Sequence, residues 1–287
     1  MRRPDRAEEG ALTGPAASPV GRERRAWVPA VSVVMTVYDG RPFVEEAVDS
    51  VLRQDYGDFE LLVVDDGSRD GSAEAVAARR DPRLRLVRRP HLGRVSALNH
   101  AVGLARGRYL AILDADDLAL PGRLELPVRF LDANPRVGAV GSAVQPLLGG
   151  GRRASRRLPR GDAAIRFGFL VRNPMFHSSV TYRTAALAEI GGFDPAVASG
   201  IDNDALLRLA ARWRLANLDV PLAAKRVHPG QFFAARSDPR RRGAGVIALR
   251  WRAARELRFP APLRPLAYLL AAMASARTWL LSRLVAV

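Results

Sequence analysis

Three carboxylates within four residues close the run Arg108-Tyr-Leu-Ala-Ile-Leu-Asp-Ala-Asp-Asp117. Leu110, Ile112 and Leu113 read as a buried strand, whereas Asp114, Asp116 and Asp117 are too costly to bury unpaired and are expected at its carboxyl end. Such a cluster calls for a cation. Oxygen-only ligands on a short turn suit Mg²⁺ or Mn²⁺, which take one or two protein carboxylates and complete their shell with substrate phosphates, so a diphosphate is the matching partner. The plainer use is capping, by Asp116 or Asp117, of the helix that Pro121 announces.

Other polar residues fall at comparable places. Phe59-Glu-Leu-Leu-Val-Val64 runs into Asp65-Asp-Gly-Ser-Arg-Asp-Gly-Ser72, where Asp66-Gly67 can turn the chain and Asp70 or Ser72 can cap the next helix. Asp65 and Asp66 stand at a strand's carboxyl end, where open α/β sheets bind ligands. A carboxylate there can accept hydrogen bonds from a ribose hydroxyl or a base N–H. Asp202 and Asp204 lie in the first turn of a helix expected from Ile201 to Arg212. Asp204 and Arg208 have the spacing of a surface ion pair, so Asp202, with no such partner in sequence, is the better candidate for chemistry, with helix capping as its alternative. His228 ends a strand expected over Leu222 to Val227 and is open to a ligand role or a structural one.

The elements that must position these residues follow from hydrophobic patterning. Val31-Ser-Val-Val-Met-Thr-Val37 reads as a strand covered on both faces, and Pro42 is expected to open a helix with Ala47, Val48, Val51 and Leu52 inward. Leu84 to Val87 is a further strand. Arg94 to Arg106 is a helix with Leu98 and Ala101 inward, preceded by the loop His91-Leu-Gly93. Strands alternating with helices predict an α/β fold with a doubly wound, mostly parallel sheet, because parallel neighbours need helical crossovers. Beyond Pro121 we expect a helix to Asn134 interrupted by Pro127, then a strand over Val137 to Val144. Next come a basic loop at Gly149 to Arg153, a helix over Ala163 to Leu170, a strand over Ser179 to Tyr182 and a helix to Ile190. No Gly-x-Gly-x-x-Gly follows the first strand, which favours an acidic, metal-dependent mononucleotide site over a dinucleotide site.

The 287 residues, 48% hydrophobic, suffice for one large α/β domain or two small ones. The absence of cysteine excludes disulfides, thiolate metal sites and cysteine nucleophiles, and points to the cytoplasmic side. The net charge of +16 is almost wholly arginine, Lys225 being the only lysine, as a GC-rich bacterial genome would produce. It attracts nucleotide phosphates, anionic lipid and nucleic acid without choosing among them. Residues 1–29 read as a disordered basic, proline-containing tail without the apolar stretch of a secretory signal, and 234–287 as a basic helical extension. Within the extension, Leu266 to Ala274 is too short to span a bilayer and suits a buried or interfacial helix. Peripheral contact with anionic lipid at the inner face of the cell membrane is the more economical use of its arginines, and nucleic acid the less economical one.

Taken in order, Val31 to Asp39, Leu62-Val-Val-Asp-Asp-Gly-Ser68, Leu98-Asn-His-Ala101, Ala111-Ile-Leu-Asp-Ala-Asp-Asp117, His177-Ser-Ser179, Gly191-Gly-Phe-Asp194 and Arg226-Val-His-Pro-Gly230 resemble the family 2 glycosyltransferases. This is an inverting family of GT-A fold, Rossmann-like with a mostly parallel central sheet flanked by helices, and the resemblance covers residues 30–233. It implies a nucleoside-diphosphate sugar donor, an acceptor hydroxyl on a glycan or lipid-linked glycan, and Mg²⁺ or Mn²⁺. It further implies that Thr36, Tyr38, Asp39, Asp65 and Asp66, with Gly93 and Asn99, form the nucleotide site and that Asp114 and Ala115 approach the ribose. Asp116 would hold the metal, His228 would complete metal or diphosphate contacts, and Asp202 would be the catalytic base. Two positions depart from the pattern: Ile201 replaces the first member of a usual Glu-Asp pair, and His91 stands where the loop commonly has Asn. The missing glutamate bears on acceptor choice more than on the reaction, and leaves a sugar-nucleotide-binding relative without catalysis as an alternative.

Two further classes compete. A metal-dependent nucleotidyltransferase should carry a Gly-rich basic loop after the first strand, which Tyr38-Asp-Gly-Arg41 is not, and a nucleic-acid binder would use the basic tail alone. A serine triad is unsupported, since neither His177 nor His228 accompanies a nucleophile elbow.

Overall fold

The computed structural model describes residues 27–147, 158–197, 199–228 and 239–284. Most of the tail expected over 1–29 and the Gly149 to Arg153 loop lie outside them.

The continuous apolar runs form fully packed strands. β1 (Val31–Val37), β2 (Phe59–Asp65) and β4 (Tyr109–Ile112) are buried throughout except Thr36, while β3 (Leu84–Arg88) is half exposed at the sheet edge. The crossovers are α1 (Val44–Leu52), α2 (Ser72–Ala77) and α3 (Arg94–Leu104). The chain continues through β5 (Leu118–Ala119), α4 (Glu125–Ala133), β6 (Val137–Leu147), α5 (Asp162–Val171), β7 (Thr181–Arg183), α6 (Thr184–Glu189), α7 (Ile201–Ala210), β8 (Arg214–Arg226), α8 (Pro239–Glu256) and α9 (Arg264–Leu284). One sheet of eight strands results, in the order β3-β2-β1-β4-β7-β6-β8-β5. The first four are parallel, β7 runs antiparallel to β4 and β6, β8 is parallel to β6, and β5 is antiparallel to β8.

Alternate residues of the same strand feed two cores, as the period-2 pleat requires. Val33, Met35, Leu61 and Val63 pack with Ala47, Val48 and Val51 on one face. Val34, Leu62, Val64 and Ile112 pack on the other with Leu98, Phe169 and Leu206. The helices expected as a C-terminal extension add Leu249, Ala253, Leu257, Ala267 and Ala271 to that second core.

At the sheet's far edge from the strand carboxyl ends, Glu60 is fully buried. It accepts hydrogen bonds from Ser32 Oγ (2.7 Å), from Arg85 (2.8 Å) and from Arg106 through Nη2 (2.7 Å) and the backbone (2.9 Å). Burial alone would push its carboxyl up, but these donors outweigh burial and hold it at about 2, so Glu60 stays ionised and knots β1, β2, β3 and the start of β4 together.

Several boundaries differ from the sequence expectation. α1 begins at Val44, not at Pro42, because a turn intervenes in which the N–H groups of Phe43 and Val44 both donate to Gly40 O. α4 begins at Glu125 and takes Pro127 into its first turn, where a missing N–H leaves no helical bond unmade. The strand expected over Leu222 to Val227 is the end of the 13-residue β8. His177–Ser179 form a short 3₁₀ turn ahead of β7.

Candidate active site

Parallel register brings the polar residues to one edge. Val37 pairs with Asp65 and Val34 with Ile112, so Tyr38, Asp39, Asp66 and Asp114 all leave the sheet on the same side. Asp66, nearly fully buried, accepts from the backbone N–H of Leu92 (3.1 Å) and Gly93 (2.8 Å) and lies 2.9 Å from His91 Nδ1 and 3.3 Å from Arg89. It thereby fixes the 91–93 loop across the sheet edge. Gly67, with φ +83°, lies under that loop, and a Cβ there would sit 2.9 Å from His91 N, so only glycine fits the crossing. The His91 ring stacks on Tyr38 with centroids 3.9 Å apart. Asp39 has φ 50° and accepts from Arg69 N–H (2.8 Å), while Asp65 accepts from Ser68 N–H (3.3 Å). Thr36 and Ala115 are half-buried. Asn99 turns away to brace α3 against the Gly191 to Asp194 turn, its amide donating to Phe193 O (2.7 Å) and accepting from Phe193 N–H (2.9 Å).

The acidic turn is held from three directions. Ser178 Oγ lies 3.0 Å from an Asp114 oxygen and 2.5 Å from one of Asp117. Arg226 donates its backbone N–H to Asp117 (3.0 Å) and its Nε to Asp116 O (3.2 Å), and Arg94 pairs with Asp114 at 2.6 Å. His228 Nε2 stands 3.1 Å from Asp116 Oδ2. Neither Asp116 nor Asp117 caps a helix, because α4 starts only at Glu125 and carries no side-chain cap. One carboxylate oxygen from each of Asp114, Asp116 and Asp117 can be chosen so that all three lie within 4.8 Å of one another. Burial, then the neighbouring Asp114 carboxylate, push the Asp117 carboxyl up to about 7. Burial would raise Asp114 too, but the opposing charges around it, Arg94 foremost, hold it below the usual carboxylate range. Crowded hard-oxygen donors whose mutual repulsion raises a pKa fit a divalent cation, which would relieve that repulsion.

Asp202 lies across a cavity of about 330 Å³ whose lining includes Asp114, Arg94, Lys225, His177 and Ile201 as well as Asp202 itself. The N-cap of α7 is Gly200, with no side-chain cap, so the capping alternative for Asp202 is not realised. Instead Asn173 Nδ2 donates to Asp202 Oδ2 at 2.7 Å and orients it. The expected surface pair of Asp204 with Arg208 is corrected by burial: Asp204 is fully inaccessible and is held by Arg208 Nε (2.8 Å) and by Arg252 Nη1 of α8 (2.6 Å). Asp202 and Asp204, two residues apart, point to different sides of the helix and have different partners.

Sequence reasoning missed Arg123 as a buried organiser. It donates to the carbonyls of Ile112 (2.9 Å), Ser178 (3.2 Å) and Val180 (3.1 Å) and to Thr181 Oγ1 (2.8 Å), tying the end of β4 to the His177–Ser179 turn; burial lowers its pKa to about 10. Asn173 was also missed. The Asn-Pro step at 173 was the only local signal, and it marks a turn, not an orienting amide.

The family model described as "Glycosyl transferase family 2" matches residues 32–191. The chain is 33% identical over 170 residues to the putative glycosyltransferase EpsE of Bacillus subtilis, covering 58% of this chain and 60% of that protein. It is 35% identical over 190 residues to protein y4gI of Sinorhizobium fredii, covering 64% of this chain but 20% of that one, so it spans only part of the relatives it matches. Among solved structures, Staphylococcus aureus TarS 1-349 in complex with UDP-GlcNAc superposes with a TM-score of 0.66 at 20% identity, covering 82% of this chain and 69% of that one. The mannosyltransferase PcManGT of Pyrobaculum calidifontis, in complex with GDP-Man and Mn²⁺, gives 0.66 at 23% identity, covering 90% and 74%. Matched over more than half its length, and folded as the GT-A transferases are, the chain belongs to glycosyltransferase family 2.

Proposed function

We propose that the protein moves a sugar from a nucleoside-diphosphate sugar to a hydroxyl of a glycan or lipid-linked glycan, with inversion at the anomeric carbon. The observation that carries this reading is a cavity bordered by both Asp114 and Asp202. It supports donor and acceptor meeting between an acidic turn and the carboxylate that Asn173 orients. Tyr38, Asp39, Asp65 and the 91–93 loop frame the base and ribose, while Arg94 and Lys225 bring positive charge to the diphosphate end. Asp116, with Asp114 and Asp117 within reach and His228 beside it, would hold Mg²⁺ or Mn²⁺. When bound, that ion supplies charge stabilisation to the departing diphosphate, which removes the need for a general acid. Asp202, oriented by Asn173, takes the proton of the acceptor hydroxyl as its oxygen attacks the face opposite the leaving group.

The test is a thermal-shift and calorimetric panel of UDP- and GDP-sugars with and without Mn²⁺, on the unmutated chain and on Asp116→Asn. A ligand that binds only the folded state raises its stability with the logarithm of its concentration over Kd. The variant should keep its fold and lose the Mn²⁺-dependent part of donor binding. Unchanged Mn²⁺-dependent affinity would reduce the acidic turn to a structural feature.

The same reading puts the protein against an anionic membrane. Among the described residues no helix is long and apolar enough to cross a bilayer; what supports contact at its surface is an exposed apolar face on α9. Its small residues Ala267, Ala271 and Ser275 face inward, while Leu266, Leu269, Met273 and Leu280 are exposed at helical spacing. No acidic residue follows Glu256, and Arg258, Arg264 and Arg277 are exposed here, a charge that matches anionic headgroups and repels a second copy of the same face. A Leu269→Glu, Met273→Glu double variant should lose flotation with phosphatidylglycerol-rich vesicles while its circular dichroism is unchanged. Undiminished flotation would remove the membrane from the reading.

A further inference from the structure

The cavity beside Asp202 carries more positive charge than the transfer of a sugar between neutral partners would use. Arg94, Arg172, Lys225 and Arg250 line it, against the carboxylates of Asp114 and Asp202 alone. Two of these cations serve the donor end: Arg94 pairs with Asp114 at 2.6 Å, and the Lys225 charge acts on Asp114 and Asp117. The other two stand at the Asp202 end. Arg172 directly follows α5 and precedes Asn173, whose amide holds Asp202 at 2.7 Å, and Arg250 of α8 donates Nη2 to Val171 O at 2.7 Å. The 171–173 segment thus joins both arginines to the residue that orients the base.

Neither arginine has a carboxylate partner among the described residues. The Arg172 side chain is exposed and makes no hydrogen bond or ion pair with them. Arg250, 8% exposed, is held by Ala274 O and Thr278 Oγ1, each at 2.6 Å, and by Val171 O. Burial lowers its pKa, because no anion offsets the charge and neutral oxygens replace water only in part. Proton transfer deepens the imbalance. Once Asp202 has taken the acceptor's proton it is neutral, and with a neutral acceptor nothing anionic from the cavity lining would remain at that end.

We propose that the acceptor is anionic, a sugar or polyol that carries a phosphate or carboxylate near its reacting hydroxyl and is bound through that oxyanion by Arg172. The planar guanidinium of an exposed arginine matches either oxyanion with two N–H donors. Arg250, whose Nη groups are already engaged, adds positive charge without contact. The proposal rests on the glycosyl-transfer reading of the cavity and narrows the acceptor to a charged class.

The test reads binding, so the outcome does not depend on supplying the correct acceptor sugar. The full chain is first titrated with UDP and GDP in the presence of Mn²⁺, then saturated with the one that binds. It is next titrated calorimetrically with glucose, glucuronate and glucose-6-phosphate at low ionic strength. A charged probe should bind about tenfold or more tightly than glucose, the scale of one hydrogen-bonded charge pair. That preference should shrink at about 1 M salt, where the screening length falls to about 3 Å. A gain for only one charged probe supports the proposal and identifies the oxyanion. Arg172→Gln should remove most of the preference with nucleoside diphosphate affinity and melting temperature unchanged, and Arg172→Lys should restore part of it. No gain for either charged probe, or a gain that Arg172→Gln leaves intact, would overturn the proposal while leaving glycosyl transfer standing. So would charged-probe binding that weakens as the nucleoside diphosphate is raised, since the probe would then occupy the donor site. If the chain binds neither nucleoside diphosphate, the donor site itself is misread and the charged-acceptor proposal falls with it.

Discussion

Asp202→Asn is expected to lower glycosyl transfer by about 10²–10⁴-fold, the range for a positioned general base, with donor affinity unchanged. The amide keeps the size of the carboxylate, and its oxygen can still accept from Asn173 Nδ2, so the helix and the cavity wall should not move. What it loses is the ability to take a proton. Donor affinity should survive because the Asp202 side chain is bonded to Asn173, whereas Arg94 and Ser178 bond the acidic turn. Single-turnover transfer and calorimetry on the same preparation separate these effects, and NMR of the product of the unmutated protein should show an inverted anomeric centre. Transfer at a near-normal rate would move the base elsewhere. Asp204 could not take over the role, since it is inaccessible and already carries two guanidinium partners.

The largest loss of stability from one substitution is expected at Asp204→Ala, about 3 kcal/mol, the lower end of the range for removing one partner of a buried ion pair. The lower end applies because the Arg208 and Arg252 side chains left behind are 22% and 30% exposed and can regain some water. Arg208 also donates to Ile190 O (2.5 Å) and Gly192 O (2.8 Å), so it keeps two anchors. Among the described residues Arg252 keeps Glu256 alone, its neighbour one turn on, and the α7–α8 contact should loosen. Urea unfolding followed by circular dichroism measures this directly, and a loss below about 1 kcal/mol would place the pair among ordinary surface ion pairs.

β1, β2 and β4 were legible because they are buried on both faces and read as largely apolar runs, and β3 because its apolar residues alternate at the sheet edge. β8 was read only from Leu222 onward: its first half carries Asn217, Asp219 and Pro221, and its pairing with β6 is interrupted there by register shifts that no local pattern announces. The two-residue β5 is too short to have a period at all. At the site, the acidic turn announced itself by composition and the carboxyl-end rule by strand order. Asp204 was half legible, since its bond to Arg208 spans four residues, whereas Arg252 lies 48 residues away and enters only through the packing of α8. Arg123 has no local signature, and His177-Ser-Ser179 was legible as a motif but not in its surroundings. Each is defined by what surrounds it: oxygens around one, and no hydrogen-bond partner among the described residues for the ring nitrogens of the other.

The Asp204–Arg252 bond also sets a schedule for biosynthesis. Domains form from the N-terminus as the chain leaves the ribosome, at about 5–20 residues per second, so the 48 residues between the two partners take about 2–10 s to be made. During that interval β1, β2, β3 and β4, with the acidic turn, can already be assembled, while α7 carries a buried-site carboxylate with half of its counter-charge. The parallel half of the sheet can thus pack before Asp204 gains its second guanidinium partner, so the α7–α8 contact is the later of the two to form.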